Sequence, residues 1–285
     1  MIQAEDKKAE SFVAFILSGN RARGVKTYGT LRRSGYTGPV RVVVADNDPE
    51  IEAYGEEFGD ELVTFNRGEW IEKTQCMDGG GTDKVIVFAR NACFKIAERL
   101  GYKNFVQLDD DYQLFECRFD SRLSYRAKKT KRLDHIFASL VEFLNNTPAK
   151  TIAMAQGGDF IGGKHNSMAG SVQLRRKAMN SFLCSVDKPF KFVGRINEDA
   201  NTYCLLGSRG DLFFTTTQVS LVQQDTQQNS GGMTDAYLNS GTYLKSFYSV
   251  VCCPSFVAVR AMGTSNRRLH HNIRWRNAVP KIIKG

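Results

Sequence analysis

The sequence predicts an α/β protein in which a mostly parallel sheet is flanked by helices. Two short apolar runs, residues 12–17 and 40–45, have the length and the β-branched content of buried strands, and a segment with helical periodicity separates them. Strand, helix and strand at this spacing indicate a parallel pair with a right-handed crossover. A third strand, residues 105–108, follows the most regular helical pattern in the chain. Because ligands in such sheets bind beyond the carboxyl ends of the strands, functional residues are expected there.

Helix boundaries follow from residues that commonly begin or end a helix. Gly35 is expected to end the helix between the first two strands as a left-handed cap. Thr82 or Asp83 is expected to cap the helix before the third strand, and Gly101 to end it. The apolar pattern also predicts helices at 133–144 and 200–206 and strands at 63–65, 151–155, 170–174 and 213–222.

The composition is that of an ordinary globular protein. Of the 285 residues, 42% are hydrophobic and 24% are charged, which is ample for a core. No run approaches the ~20 apolar residues of a membrane span, and the polar N-terminus does not resemble a signal peptide, so we expect no membrane association. The seven cysteines form no CxxC pair, so neither a zinc site nor a disulfide framework is indicated. This usage fits a reducing, cytoplasmic location.

The net charge of +9 is concentrated in two segments. No acidic residue follows Asp235, and the basic residues of that last stretch are Lys245, Arg260, Arg267, Arg268, Arg274, Arg276, Lys281 and Lys284. The second basic run consists of Arg122, Arg126, Lys128, Lys129, Lys131 and Arg132. Such clusters attract the phosphates of a nucleic acid or of a nucleotide. The alternative is a basic surface without a specific ligand.

Three consecutive carboxylates, Asp109, Asp110 and Asp111, follow the third strand. Like charges side by side repel one another, and each resists the loss of its water shell. A hard divalent cation prefers oxygen ligands, would compensate these charges and often binds phosphate as well. The alternative is a solvated acidic turn. If the site holds a metal, Asp109 and Asp111 are the expected pair.

Polar side chains also follow the first two strands. Ser18 and Arg21 come after the first strand, and Asp46 after the second. The Arg can contact a base or a phosphate, and the Asp can accept from a ribose hydroxyl or a base imide, although each is equally suited to a helix cap or a surface ion pair. Arg90 lies off the apolar stripe of its helix and can face the same site. Glycine-rich and polar segments predicted to be loops or tight turns are residues 79–81, 157–158, 162–163, 168–171 and 223–234.

Two further pairs are candidates for chemistry. Glu198 and Asp199 precede a helical pattern, where acids often cap the helix and interact with its dipole. The functional alternative is that one of them is a general base across from the metal. His270 and His271 lie in the basic C-terminal cluster. Adjacent residues point to different faces of most backbones, so at most one of the two is expected to bind metal.

In this order, the motifs resemble those of a GT-A glycosyltransferase, which has a Rossmann-like nucleotide-binding sheet and an appended acceptor half. The three Asp match the Asp-x-Asp motif, which holds a divalent metal and the sugar nucleotide. Glu198 and Asp199 resemble the acidic pair that supplies the base in inverting members. The pair His270 and His271 resembles the metal-binding C-terminal His of some members.

More narrowly, the N-terminal motifs are similar to those of the TET-associated glycosyltransferases. These motifs are Phe15-Ile16-Leu17-Ser18-x-x-Arg21, Thr27-Tyr28-x-Thr30-Leu31 and Gly35-Tyr36. That family is found chiefly in bacteriophages and is associated with glycosylation of 5-hydroxymethylpyrimidines in DNA. The resemblance implies one GT-A-like domain over residues 1–285. Residues 11–112 would bind the nucleotide sugar, and residues 113–285, with their basic tail and a mixed sheet, would bind the acceptor.

The resemblance also implies a reaction and assigns residues to it. A hexose would pass from a nucleoside-diphosphate sugar, expected to be a UDP-sugar, to a hydroxyl of a modified pyrimidine in phage DNA in the host cytoplasm. Mn²⁺ or Mg²⁺ would be held by Asp109, Asp111 and one of His270 and His271. The donor would be bound by Ser18, Arg21, Asp46, Arg90, Asp109 and Asp110. Asp199, or Glu198, would take the proton from the acceptor.

Three other functions stay open at this point. A nucleotidyltransferase on a similar sheet also uses paired Asp and metal, but it would release pyrophosphate. A glycosyltransferase acting on protein or polysaccharide would not need to bind duplex DNA. A non-catalytic nucleic-acid-binding protein would bind DNA with steep salt dependence but show no metal-dependent affinity for nucleotide sugars.

Overall fold

The computed structural model describes residues 12–78, 83–120, 122, 124–156, 172–223, 244–262 and 268–283. The strands are β1 (Phe12–Leu17), β2 (Val40–Ala45), β3 (Leu62–Phe65), β4 (Asn104–Asp109), β5 (Tyr112–Phe119), β6 (Tyr125–Lys129), β7 (Ala149–Ala155), β8 (Val172–Gln173), β9 (Ser181–Ser185), β10 (Leu212–Gln223), β11 (Val257–Met262) and β12 (Arg268–Ile273). The helices are α1 (Lys26–Arg33), α2 (Ile51–Phe58), α3 (Arg67–Lys73), α4 (Ile86–Arg99), α5 (Leu133–Asn145), α6 (Glu198–Gly207), α7 (residues 244–252) and α8 (Trp275–Ala278). Within these ranges no helix is both long and apolar enough to cross a membrane.

A ten-stranded sheet in the order β3-β2-β1-β4-β9-β7-β10-β5-β6, with β8 beside β10, is the centre of the fold. Strands β3, β2, β1 and β4 are parallel to one another. The second half is mixed, because β9 runs antiparallel to both β4 and β7 and β5 runs antiparallel to β10. Strands β11 and β12 form a separate antiparallel pair. The sheet confirms the predicted α/β class with a parallel first half and a mixed second half.

Both faces of the sheet are covered by helices, which explains why its first strands are continuous apolar runs. In β1, Val13 and Phe15 belong to the core beneath α4, whereas Ala14 and Ile16 belong to the core beneath α1 and α5. Side chains of a strand alternate between faces, so a strand buried on both faces must be apolar at every position. Because β1, β2 and β4 are parallel, their carboxyl ends lie at one edge of the sheet.

The predicted helix ends were confirmed except at one cap. Gly35 and Gly101 adopt φ of 84° and 78° after α1 and α4. Asp83 was wrongly predicted to cap α4, because the cap position is Val85, which has no side-chain capping bond. The carboxylate of Asp83 instead accepts a 2.8 Å hydrogen bond from Arg195 Nη1. Thr82, the other predicted cap, lies outside the described residues.

Several elements were not predicted from the sequence. They are α2, α3, α7, α8, β5, β6, β9, β11 and β12. Of the predicted edge strand at 170–174, residues 172–174 are described, and Val172–Gln173 pairs with β10. Four predicted loops, at residues 79–81, 157–158, 162–163 and 168–171, lie outside the described part of the chain. Of the predicted loop at 223–234, only Gln223 is described, and its assignment to a loop was wrong because it is the last residue of β10.

Candidate active site

The end of β1 lies beside the turn that carries the three Asp. Leu17 is paired with Asp109 in the parallel register of β1 and β4. The residue after Leu17 therefore meets the turn, and Ser18 Oγ donates a 2.5 Å hydrogen bond to Asp110 Oδ2. Arg21 Nη1 is 3.5 Å from the other Asp110 oxygen. The predicted convergence of Ser18 and Arg21 with the acids is present.

The conformation of this turn depends on Thr27, at the start of α1. Its hydroxyl donates to the backbone oxygen of Asp109 (2.6 Å) and accepts from the backbone N–H of Tyr112 (2.9 Å). The backbone N–H of Thr27 donates to the oxygen of Asp110 at 3.1 Å. One buried threonine thus holds the backbone on both sides of Asp111. Its place in the N-terminal motif was noted from the sequence, but this role was not predicted.

The backbone after β1 is fixed by hydrogen bonds from α2 and from the turn that precedes α2. Asp48 Oδ2 accepts from the backbone N–H of Asn20 at 2.9 Å, and the hydroxyls of Tyr54 and Ser18 are 2.7 Å apart. Asn20 has φ of 57°, in the left-handed region. The fixed backbone aims Ser18 and Arg21 at the acidic turn. Tyr54 was missed because α2 itself was missed, and this role of Asp48 after β2 was not predicted.

Arg90 is the buried cation that joins the two acidic parts of the site. Its Nη2 donates to Asp109 Oδ1 at 2.9 Å and its Nε donates to Glu198 Oε1 at 3.0 Å, while only 1% of its side chain is exposed. The guanidinium also lies over the ring of Phe182, 5.0 Å from its centre. Such complete burial favours a role in positioning the two carboxylates over direct contact with a diphosphate.

The carboxylates of the site have more negative charge than Arg90 alone can neutralise. Burial raises the pKa of Asp109 to about 7, even though Arg90 opposes this rise. Burial also raises the pKa of Asp110, Asp111 and Glu198 above their usual values. A group of buried carboxyls that holds its protons this tightly has too little positive charge around it.

The donor set of this turn fits a divalent cation. Oδ1 of Asp111 is buried and has no hydrogen-bond partner, and carboxylate oxygens are the ligands that Mn²⁺ and Mg²⁺ prefer. Among the residues with described positions, no three His, Cys, Asp or Glu side chains are close enough to hold a metal by themselves. One or two carboxylates with the remaining positions filled by substrate phosphates is the usual arrangement for Mg²⁺. Asp109 and Asp111 therefore suit a metal that binds together with a diphosphate.

His270 and His271 lie on β12 and differ in their surroundings. His271 is 7% exposed, and burial, with Lys177, His270 and Lys245 nearby, lowers its pKa to about 3. It is therefore neutral near pH 7, and its buried Nε2 has no partner. Nδ1 of His270 is 2.7 Å from the backbone oxygen of His271. Within the described ranges, neither imidazole belongs to a group of three or more His, Cys, Asp or Glu side chains that could hold a metal ion. The predicted role of the two His as metal ligands therefore stays a prediction.

Asp46 lies at the end of β2, where it binds the start of α3. Its carboxylate accepts from Asn66 Nδ2 at 2.8 Å and from the backbone N–H of Arg67 at 3.1 Å. This is the structural role that was the alternative to nucleotide binding. Each oxygen keeps a second acceptor position, so the predicted contact with a nucleotide stays a prediction.

Glu198 and Asp199 begin α6 and have different partners. Glu198 is paired with Arg90, as described above. Asp199 is half-buried, and its Oδ1 accepts from the backbone N–H of Ala200 at 2.6 Å. Burial lowers the pKa of Lys177, and the charge of Asp199 opposes this change, so the two side chains are near each other. Arg90 thus holds Glu198, and the predicted role of one of these two acids as a general base stays a prediction.

Arg195, three residues before Glu198, connects the start of α6 to a distant part of the chain. Its Nε donates to Asp78 (3.0 Å) and its Nη1 donates to Asp83 (2.8 Å). Tyr248 of α7 donates to the second oxygen of Asp78 at 2.8 Å. These bonds fix the position of the backbone before Glu198. No local sequence pattern marks Arg195, and it was not predicted.

The fold is an α/β sheet with an acidic turn at the carboxyl end of β4, and the comparison of sequences identifies the family. Residues 12–232 match the TET-Associated Glycosyltransferase family. Because this match spans well over half of the chain, the chain belongs to that family and is a glycosyltransferase. The predicted family resemblance and enzyme class are confirmed. The search of curated proteins found no match.

Several solved structures have a similar arrangement of elements. Glucosyl-3-phosphoglycerate synthase from Mycobacterium tuberculosis, in complex with Mn²⁺, UDP and phosphoglyceric acid, is 10% identical with a TM-score of 0.46, over 94% of this chain and 88% of that one. Mannosyl-3-phosphoglycerate synthase from Rubrobacter xylanophilus is 11% identical with a TM-score of 0.45, over 94% and 86%. The mannosyltransferase PcManGT from Pyrobaculum calidifontis, in complex with GDP-Man and Mn²⁺, is 14% identical with a TM-score of 0.45, over 77% and 58%. The family assignment rests on the sequence match alone.

Replacing Arg90 with Met is expected to destabilise the protein by about 3–5 kcal/mol, since removal of one partner leaves buried charges unpaired. The free energy of unfolding in urea measures this change. Arg99→Met is the matched control, because Arg99 is an exposed residue of the same helix and should change stability by no more than about 0.5 kcal/mol. Equal effects of the two substitutions would contradict the central role of the buried ion pairs.

Metal affinity is expected to depend on pH because of Asp109. With a pKa of about 7, its carboxyl is mostly protonated at pH 6 and mostly ionised at pH 8, and a metal binds only the ionised form. The apparent affinity for Mn²⁺ should therefore rise about tenfold from pH 6 to pH 8, with about half a proton released per metal bound at pH 7. Calorimetry in buffers of different ionisation enthalpy measures both quantities. Equal affinity at the two pH values with no proton release would show that Asp109 is not a ligand.

Proposed function

We propose that this glycosyltransferase moves a sugar from a nucleoside-diphosphate sugar to the hydroxyl of a 5-hydroxymethylpyrimidine in DNA. The observation that supports the donor class is the buried, unpartnered Oδ1 of Asp111 in an acidic turn at the carboxyl end of β4. Such a turn needs a cation, and the cation in turn suits a diphosphate. The family description and the basic segments of the chain support a polyanionic acceptor.

In this proposal each residue of the site has a separate task. Asp109 and Asp111 would hold Mn²⁺ or Mg²⁺, which neutralises charge on the diphosphate leaving group when bound. Arg90 keeps Asp109 and Glu198 in fixed orientation through its two hydrogen bonds. Ser18 and Arg21 stabilise Asp110.

The remaining tasks concern the donor's nucleoside and the acceptor. The nucleoside of the donor would lie along the ends of β1 and β2, where Arg21 and Asp46 can contact it. Asp199 would accept the proton of the acceptor hydroxyl as that oxygen attacks the sugar. A base within a duplex cannot reach such a site while stacked, so it would have to be flipped out. A UDP-sugar is the first donor to test.

The direct test is a transfer assay read by mass spectrometry. The protein is incubated with Mn²⁺, a panel of sugar nucleotides and DNA that contains modified pyrimidines. A mass increase of one hexose on the DNA supports the proposal. Transfer to protein or polysaccharide acceptors, with none to DNA, would instead support the alternative acceptor class.

Asp111→Asn is expected to abolish metal-dependent transfer while the fold is retained. An amide cannot supply the anionic oxygen, so activity should fall by at least about 100-fold, the upper end of the loss caused by removing even an indirect partner of a metal. The exposed Asp60→Asn is the charge-matched control and should keep full activity. Full turnover by the Asp111 variant would contradict the metal assignment.

Asp199→Asn is expected to remove transfer but not donor binding. Loss of a general base costs about 10²–10⁴-fold in rate, whereas in this proposal Asp199 does not contact the donor. Calorimetric titration with UDP and Mn²⁺, alongside the transfer assay, separates the two effects. If the variant lost donor binding, Asp199 would be a binding residue and another group would be the base.

A further inference from the structure

The outer strand β6 carries an unusually one-signed surface. Residues 121–133 contain no acidic residue, and their basic residues are Arg122, Arg126, Lys128, Lys129, Lys131 and Arg132. All six of these side chains are exposed. Among the residues that the structure describes, β6 pairs with β5 alone and is the last strand of the sheet order. We call β6 and these flanking residues the basic edge.

The opposite end of the sheet has the opposite charge. Residues 46–61, which include α2, contain no Lys or Arg, and their acidic residues are Asp46, Asp48, Glu50, Glu52, Glu56, Glu57, Asp60 and Glu61. This acidic segment leads into β3, the first strand of the sheet order. Eight strand spacings of ~4.8 Å place the two edges about 38 Å apart. The two outer strands of the sheet are therefore next to sequence segments of opposite charge.

Strand β5 connects the candidate active site to the basic edge. It begins at Tyr112, directly after Asp111, and its residue Glu116 is paired with Lys129 of β6. Five residues of a strand span about 17 Å at ~3.4 Å per residue. This is also the length of about five base pairs of duplex DNA, at ~3.4 Å per nucleotide of each strand.

We propose that the phosphate backbone of the acceptor duplex lies on the basic edge while the target base occupies the site at Asp111. The contacts would fall about five base pairs from that base. The acidic segment repels a polyanion, so the duplex is excluded from the donor side of the sheet and enters from the β6 side. Contacts of this kind fix orientation without reading sequence. The proposal rests on the proposed function in one respect, namely that the acceptor is DNA.

Protection of a sheet edge against pairing with another molecule explains the basic edge less well. Charged side chains on an outer strand do prevent such pairing, but either sign of charge would serve. The other outer strand, Leu62–Phe65, carries no charged residue at all. The basic run also continues past the end of β6 to Lys131 and Arg132. Complementarity to a long anion accounts for the single sign and for the length of the run.

The test compares two triple variants with equal loss of charge. Arg126→Gln, Lys128→Gln and Lys129→Gln remove three cations of the basic edge. The control variant carries Lys95→Gln, Arg99→Gln and Lys103→Gln. These substitutions remove three exposed cations near the C-terminal end of α4 and the N-terminal end of β4. Each set includes one exposed ion pair, Arg126 with Asp120 and Lys103 with Asp187. Both variants have a net charge of +6 in place of +9.

Binding of each full-length variant to a fluorescent, unmodified duplex is measured by anisotropy over a range of salt concentrations. The basic-edge variant should bind at least about tenfold more weakly at low salt, and its slope of log affinity against log salt should be smaller by about 2.7, or 0.9 for each lost phosphate contact. The control variant should stay within about twofold of the parent. Equal losses in the two variants, or no duplex binding by the parent, would overturn the docking surface.

A second readout separates this proposal from the proposed function. The basic-edge variant should keep Mn²⁺-dependent UDP binding, and with modified duplex DNA its KM should rise while kcat is retained. A fall in kcat at unchanged KM would overturn the docking role. If the basic edge controls duplex binding but the parent transfers no sugar to DNA, the proposed function fails and the docking surface stands.

Discussion

The pairing of one buried arginine with two carboxylates is the interaction on which the candidate site depends. Arg90 forms hydrogen bonds with Asp109 at the end of β4 and with Glu198 at the start of α6. These residues are 19 and 108 positions away from Arg90 in the chain. Without this cation, two acids would face each other in an interior where burial already raises the pKa of both. Arg90 therefore links the end of β4 to the start of α6, in addition to the direct pairing of β4 with β9.

Three adjacent and chemically identical side chains acquire different properties in this setting. Asp109 is paired with Arg90, whereas Asp110 is bound by Ser18 and approached by Arg21. Only Asp111 keeps a buried oxygen without a partner. The difference arises from the turn that Thr27 fixes, because it directs successive carboxylates toward separate neighbours. Asp110 thus acts on the shape of the site, while Asp111 is left available to a cation.

The parts of the fold that could be predicted are those in which consecutive residues are apolar because the strand is buried on both faces. β1, β2 and β4 are buried on both faces, so their apolar runs marked them within a residue or two of their ends. β5 and β6 alternate polar with apolar residues or are mostly charged, and β6 was noticed only as a basic run. The three Asp were found because they follow a buried strand, and Glu198 and Asp199 because they precede a helical pattern. Arg195 was not, since its partner Asp78 is 117 residues away and no local pattern records that contact.

The central claim is that the acidic turn after β4 holds a divalent cation with the diphosphate of the donor. Anomalous diffraction from crystals grown with Mn²⁺ and UDP tests this claim most directly. A manganese peak beside the carboxylates of Asp109 and Asp111, next to the diphosphate, is the result that we expect. Bound UDP with no manganese beside Asp109 or Asp111, or with manganese at another set of residues, would contradict the claim.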